Sequence, residues 1–236
     1  MPIDRRPLRE QVREEVLLLL ERGEISANHA INEGQLAARL GVSRTPLREA
    51  LITLEHEGVI QSHSGKGFRF APLSRKEFTD LCEVLASLEM LALQLSDPAV
   101  LDKVAPTLLR KAYEFSDSEA PVGTVERYDD EWHDLLLSGC TNDRLMELLT
   151  SVKVGLRRYE HLQVGQDTML QRAAEEHEQI AQCLVHGDLA GALTALKQNW
   201  HSGMQRILEL MDALPAASTG DPDGASSRSE RWWQER

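Results

Sequence analysis

The sequence has few cysteines, no long apolar run and no excess of positive charge, and each absence narrows the class of protein. Among its 236 residues are three cysteines, Cys82, Cys140 and Cys183, which are far apart and form no CxxC pair. This pattern argues against a disulfide framework and a thiolate zinc site, and it fits a reducing cytosol. The apolar run at 16–20 is far too short for a signal peptide or a membrane span. We therefore expect a cytoplasmic protein with no membrane partner.

The net charge of −12 is unevenly distributed along the chain. Residues 1–72 hold ten basic and ten acidic side chains, residues 73–214 hold thirteen and twenty-four, and residues 215–236 hold three and four. A neutral module with basic groups at one edge can bind DNA, whereas an acidic partner module keeps non-specific affinity for DNA modest. The distribution therefore favours two modules with different roles.

The stretch 33–56 has two apolar helical faces that are interrupted at Gly41. This pattern predicts a helix, a tight turn and a second helix. Gly41 tolerates the positive φ at which a helix ends. The following Thr45 and Pro46 predict an N-cap and a proline at the first helical position.

Two arginines, Arg44 and Arg48, stand four residues apart at the start of the second helix. Both project from one side of the first turn, where each can reach a phosphate or fork onto a guanine. The alternative for Arg48 is a weak pair with a nearby carboxylate on a solvated face.

A β-wing is predicted after the second helix, because two short strand-like runs within 59–70 surround a glycine-rich, basic tip. Such a wing can lay Ser64, Gly65 and Lys66 along the sugar-phosphate backbone, since glycine permits close approach.

The run LxxRLGVSRTPLREAL, followed by LExEGxI and GxGF, resembles the winged helix-turn-helix of the GntR family of bacterial transcription regulators over about residues 5–71. The resemblance implies DNA contacts by the two arginines and by the wing tip. Gly34 departs from the arginine that some members carry there, so no operator sequence is transferred from a relative. The predicted DNA-contacting residues are Ser43, Arg44, Thr45, Arg48, Ser64, Gly65 and Lys66.

From residue 74 onward the chain has six helical patterns and no strand signal. Ser74 and Glu77 have the spacing of a capping box at the start of the first of these helices. Short connections predict an antiparallel bundle of about six helices over 74–213. The expected fold is therefore mainly α, with a winged helix-turn-helix at 5–71, this bundle, and a disordered tail at 215–236 that is rich in Ser, Gly, Pro and charge.

Two helices of the predicted bundle carry residues with metal-ligand chemistry. Asp129 and His133 are four residues apart and share one helix face, where a pair of this kind can hold one ion. His177 lies in the middle of an apolar face. An inward histidine is otherwise a core residue that is hydrogen-bonded to a neighbour.

The segments DDEWHDLL, TNDRL and EEHEQIAQCLVHGD resemble the FCD effector domain, the all-helical ligand-binding half of one GntR subfamily. Many members bind a divalent metal through an aspartate, a histidine four residues later and two further histidines. The resemblance implies Asp129, His133 and His177 as ligands, with Asn199 at the fourth position, and it leaves Zn, Mn, Ni and Mg open. Asn199 can ligate through its amide oxygen. The alternatives are a metal-free site and His201, which is about 200° from Asn199 around the helix.

Members that sense small carboxylic acids often carry an arginine four residues before the glutamate of an LE pair, a position that is Leu85 here. Arg157, Arg158 and Tyr159 are the replacement candidates for contacts with an effector.

Taken together, these patterns predict a metabolite-responsive transcription regulator, expected to be a repressor, that binds a palindromic DNA operator as a homodimer. The bundle is expected to hold a small-molecule effector, such as an organic acid, and a divalent metal ion. One alternative is a metal-dependent hydrolase with an appended DNA-binding domain. The other is a constitutive DNA-binding protein whose bundle only dimerises. The enzyme is disfavoured, because the sequence shows no separate general base, no phosphate-binding loop and no nucleophile with a partner.

Overall fold

The computed structural model describes residues 6–21, 24, 30–63, 65, 67–116, 125–160, 162 and 167–213. Contacts divide the chain into one compact unit within residues 1–73 and another within residues 74–211. The protein is mainly α-helical, as the sequence predicts. Its elements are α1 (Leu8–Glu21), α2 (Glu33–Leu40), α3 (Arg44–His56), β1 (Ile60–His63), β2 (Gly67–Phe70), α4 (Arg75–Leu95), α5 (Pro98–Ser116), α6 (Val125–Leu136), α7 (Asp143–Glu160), α8 (Asp167–Val185) and α9 (Leu189–Ala213).

The first unit packs α1 against α3 through an apolar interface. The buried side chains there include Val16 and Leu17 of α1 and Leu47 and Leu51 of α3. This packing follows from the one-sided apolar pattern of both helices. The polar residues at the start of α3, including Arg44 and Arg48, are left exposed.

Local capping interactions set the start and the end of α2. The side-chain oxygen of Asn32 accepts hydrogen bonds from the backbone N–H groups of Gly34 and Gln35, both at 3.1 Å. Gly41 ends α2 with φ +66°, in the left-handed region that glycine adopts without strain.

The structure corrects the predicted start of the second helix. α3 begins at Arg44, and Ser43 is its N-cap residue, so the prediction of Thr45 as the N-cap was wrong. Pro46 is consequently the third residue of the helix rather than the first. This position is tolerated because none of the first-turn N–H groups has an intrahelical acceptor.

The predicted wing is an antiparallel hairpin in which Ile60 pairs with Phe70 and His63 pairs with Gly67. Gly65 and Gly67 have φ +74° and +75°, which a tight connection between the strands requires. The backbone N–H of Ile31 donates to the carbonyl of Phe68 at 2.9 Å, so the chain before α2 is joined to the hairpin.

Helices α4–α9 form the second unit, in which α5 packs on α8 and α4 packs on α7. Its core includes Leu85, Leu108, Trp132 and Ile180, all of them buried. Ser74 caps α4, because its hydroxyl accepts from the N–H of Glu77 at 3.3 Å. Among the described residues, none of the helices combines the length and apolar character needed to cross a membrane. The tail predicted at 215–236 lies outside the described residues.

Candidate functional site

The fold brings together the three residues in the bundle that the sequence selects as metal ligands. Asp129 and His133 lie one turn apart on α6, and His177 comes from α8. One potential ligand atom from each residue lies within 4.8 Å of the others. The Nε2 atom of His177 is 3.3 Å from the Oδ1 atom of Asp129. A carboxylate and two imidazoles converging on one point form a donor set that divalent transition metals favour.

Each imidazole is held in place by a neighbour outside the cluster. The Nδ1–H of His133 donates to the Oε2 atom of Glu89 at 2.8 Å. The ring of His177 stacks on the indole of Trp132, with centroids 4.0 Å apart and planes inclined by 3°. The indole N–H of Trp132 donates to the carbonyl of Leu108 at 3.0 Å, which fixes the stacking surface. Both rings are therefore oriented by fixed contacts.

Glu89 contacts this cluster and was not selected by the sequence analysis, where it is only the glutamate of the LE pair. Its side chain is 0% exposed. Its Oε2 atom also accepts the indole N–H of Trp200 at 2.8 Å, and its Oε1 atom is 3.9 Å from the ammonium of Lys153. The sequence did contain a signal for this residue, since Glu89 shares the inward face of α4 with Leu85 and Ala92. A carboxylate on a buried face requires charged or hydrogen-bonding partners.

The two imidazoles have opposite pKa shifts, so His133 is charged and His177 is neutral. Burial alone lowers the pKa of His133, but the carboxylates of Glu89 and Asp129 raise it to about 9. Burial holds the pKa of His177 below its ordinary value, although Asp129 opposes this shift. Burial raises the pKa of Asp129, but the hydrogen bond with His177 and the charge on His133 lower it below its usual range. The centre therefore holds one imidazolium between two carboxylates, and a bound cation can replace its proton.

Asn199, the fourth predicted ligand, is buried on α9 beside a charged pair. Its amide nitrogen donates to Glu176 at 3.1 Å, and Arg206 holds the same carboxylate with two hydrogen bonds of 2.9 and 3.0 Å. Because the nitrogen is used in this way, the amide oxygen is the atom left for ligation. His201, the alternative ligand, is exposed.

The three effector candidates lie near the end of α7. Tyr159 is buried, and its hydroxyl accepts from the N–H of Ser74 at 3.2 Å and lies 3.4 Å from Glu77. These contacts join α7 to the first turn of α4. Arg157 is half-buried, and the side chain of Arg158 is not among those that the structure describes.

The predicted DNA-contacting residues of α3 form one exposed edge. Ser43, Arg44, Thr45 and Arg48 are all exposed, as is Gly65 in the wing. Two further predicted contacts, Ser64 and Lys66, lie outside the described residues.

Gly34 provides space for one of these arginines. A Cβ atom at position 34 would lie 3.2 Å from the Nη2 atom of Arg44, so the guanidinium rests against the start of α2. The position at which the sequence departs from the family pattern is therefore in contact with a predicted DNA-binding residue.

Comparison with known proteins agrees with this organisation. Residues 8–70 match the family described as bacterial regulatory proteins, gntR family, and residues 80–202 match the FCD domain. The Nta operon transcriptional regulator of Aminobacter aminovorans is 36% identical over 128 residues, covering 54% of this chain and 61% of that protein. The uncharacterized HTH-type transcriptional regulator YdhC of Bacillus subtilis is 31% identical over 163 residues, covering 67% of this chain and 72% of that protein.

Solved structures share the fold. E. coli McbR/YncC has a TM-score of 0.69 at 17% identity and covers 87% of this chain and 99% of that chain. A GntR regulator from Rhodococcus sp. RHA1 has a TM-score of 0.68 at 20% identity, and the match covers 85% of this chain and 97% of that chain.

A helix-turn-helix with a wing, followed in one chain by a helical effector domain, defines a DNA-binding transcription regulator. The two family matches specify it further: the chain belongs to the GntR family, in the branch that carries an FCD domain. Regulators of this kind bind DNA through the helix-turn-helix and small-molecule effectors through the FCD domain, which often binds a metal.

The charged pair in the metal-free centre predicts a pH dependence of stability. The pKa of His133 is raised from 6.5 to about 9, so protonated His133 stabilises the folded protein. This contribution to the free energy of unfolding is complete below pH 6.5 and is lost as the pH rises through 9. We expect chelator-treated protein to lose on the order of 2 kcal/mol of unfolding free energy over this range. Urea denaturation at pH 6.5 and 9 measures the loss. His133→Gln should show a smaller decrease, and an equal decrease in both proteins would contradict the assignment.

Proposed function

We propose that this protein is a metabolite-responsive repressor that binds a palindromic operator as a homodimer and holds a divalent metal in its effector domain. The observation that carries the proposal is the convergence of Asp129, His133 and His177 inside an FCD domain that follows a winged helix-turn-helix in the same chain. The domain bounds that go with it are 5–71 for DNA binding, 74–213 for sensing and dimerisation, and 215–236 for the tail.

DNA recognition is assigned to the exposed edge of α3 and to the wing. Arg44 occupies the first helical position and Arg48 follows one turn later, so both stand at the end of the helix that enters a major groove in this motif. Gly65 has no side chain, so the backbone of the wing tip can approach DNA closely. Ser43, Thr45, Ser64 and Lys66 complete the proposed contacts with phosphates.

A homodimer is supported by an exposed apolar stripe on the second unit. Val84, Leu91 and Leu95 share one face of α4 and are 46%, 43% and 47% exposed, and Leu148 on the adjacent α7 is 49% exposed. A large exposed apolar patch typically marks an interface. We assign a second copy of the chain as its occupant, because a twofold axis presents one patch to itself and matches the two half-sites of a palindrome.

The donor set fits a resident metal ion. Asp129, His133 and His177 would hold it, with Asn199 as a direct or water-bridged fourth ligand. When bound, a divalent ion in such a site supplies a Lewis acid toward an anionic oxygen ligand. The role of these residues is to bind and orient, because the relatives are named as regulators rather than as enzymes.

The effector is proposed to be a small organic acid, with Arg157 and Arg158 as candidate partners for its carboxylate. Tyr159 is the weaker candidate because its hydroxyl already contacts the first turn of α4. Repression is supported by the relative named HTH-type transcriptional repressor GlaR of E. coli, which is 24% identical over 189 residues. An effector shifts DNA affinity only through its differential affinity for the two states of the protein.

Removing either recognition arginine should weaken specific DNA binding. We expect Arg44→Ala or Arg48→Ala to cost about 1–3 kcal/mol toward an operator selected from random DNA, because each loses a base or phosphate contact. Gel-shift titration at fixed salt measures the loss. Arg172→Ala removes the same charge from α8 and should leave affinity unchanged. Wild-type affinity in both α3 variants would contradict the assignment.

Placing a charge in the apolar stripe should break the dimer. We expect the Leu91→Asp variant to elute at the monomer mass in light-scattering chromatography while retaining its helical circular dichroism, because a carboxylate there would be desolvated in the interface. Val185→Asp alters an equally exposed apolar residue on α8 and should remain dimeric. Dimers of both variants would exclude the α4 stripe as the interface.

Purified protein should contain metal. We expect about one divalent ion per chain by elemental analysis after purification without chelator, since three ligands suffice for a site. The Asp129→Ala variant should lose most of it, whereas Asp130→Ala, which changes the neighbouring carboxylate, should retain it. Equal metal content in the two variants, or none in the wild type, would count against the proposed centre.

A further inference from the structure

Glu89 is the one fully buried carboxylate of the described residues, and its partners come from separate helices. Its Oε2 atom accepts both the Nδ1–H of His133 on α6 and the indole N–H of Trp200 on α9, each at 2.8 Å. The ammonium of Lys153 on α7 lies 3.9 Å from its other oxygen. These partners fix the position of Oε2, whereas Oε1 has no hydrogen-bond partner among the described residues.

The hydrogen bond to His133 decides which ring nitrogen faces the cluster. A carboxylate only accepts hydrogen bonds when ionised, so Nδ1 carries the proton in this pair. Nε2 is then the nitrogen left to bind a cation. Partners of this kind fix the tautomer and orientation of a ligating imidazole and raise its basicity as a ligand.

We infer that Glu89 is the positioning residue of the metal centre: from α4 it orients His133 through Nδ1 so that Nε2 is presented to the ion held with Asp129 and His177. This inference rests on the metal site of the proposed function. Glu89 itself is not assigned as a ligand, because the potential ligand atoms that lie within 4.8 Å of one another belong to Asp129, His133 and His177.

Trp200 has a separate role toward the same carboxylate. Its indole N–H fixes the position of Oε2 and joins α9 to α4, and its ring lies edge-on to the ring of His133, with centroids 5.9 Å apart, without a hydrogen bond to a proposed ligand. It therefore offers a matched control. The Trp200→Phe substitution removes this hydrogen bond to Glu89, but the carboxylate keeps its charge and its hydrogen bond with His133.

The test compares zinc binding by Glu89→Gln and Trp200→Phe in the full chain. Metal-stripped proteins are titrated with Zn²⁺ against a chromophoric chelator, and the unfolding temperature is measured without metal. Glu89→Gln retains the size of the side chain and an acceptor oxygen but removes the charge. We expect its zinc affinity to fall about 10–100-fold. Glu89→Asp should recover part of that loss, and Trp200→Phe should stay within about 3-fold of the wild type, because it removes one hydrogen bond and keeps the carboxylate charge beside His133.

A spectroscopic measurement on the wild type tests the geometry without any variant. In long-range ¹H–¹⁵N spectra of the zinc-bound protein, His133 should show a protonated Nδ1 and a metal-bound Nε2. Ligation through Nδ1 would overturn the inference even if Glu89→Gln failed to fold.

The remaining outcomes separate this inference from the proposal on which it rests. If the wild type and a folded Glu89→Gln variant both bind zinc with equal affinity, only the role of Glu89 is overturned. A loss in Trp200→Phe as large as that in Glu89→Gln would assign the effect to packing and would overturn it too. No zinc binding by the wild type would overturn the metal site and the inference together.

Discussion

The second unit is organised around a buried ion pair between Glu89 and His133. Isolating a carboxylate from water is costly unless charges and hydrogen bonds compensate it, and here His133, Trp200 and Lys153 do so from three other helices. These contacts join α6, α7 and α9 to α4. The same pair orients one imidazole of the candidate metal centre, so one interaction serves both folding and binding.

α4 has a particular place in this arrangement because of its position in the chain. It begins at Arg75, shortly after β2 ends at Phe70, so the helix that carries Glu89 is also the one covalently attached to the winged helix-turn-helix. In the proposed metal centre, Glu89 is the residue of α4 that contacts a ligand. Coupling between effector and DNA requires two arrangements that differ in affinity for each, and a pair of this kind can favour one of them.

The two departures from the family pattern both lie beside charged side chains. At the fourth ligand position, Asn199 is held by Glu176, which Arg206 also binds through two hydrogen bonds. At position 34, glycine leaves room for the guanidinium of Arg44. Asn199 is a buried residue of α9, whereas Gly34 lies in the first turn of α2.

Much of the fold is predictable from the sequence, because helices, caps and the wing depend on neighbouring residues. Periodicity predicts the six bundle helices, and Gly41 predicts the turn, whereas the helix start was misplaced from Ser43 to Thr45 because a first-turn proline is tolerated at several positions. The spacing of Asp129 and His133 likewise places them on one face. The family resemblance already grouped His177 with them, but only the tertiary structure decided that Trp132 stacks on His177 and that Glu89 holds His133. Those contacts join residues far apart in the chain, and no local pattern specifies which inward faces come together once the core is packed.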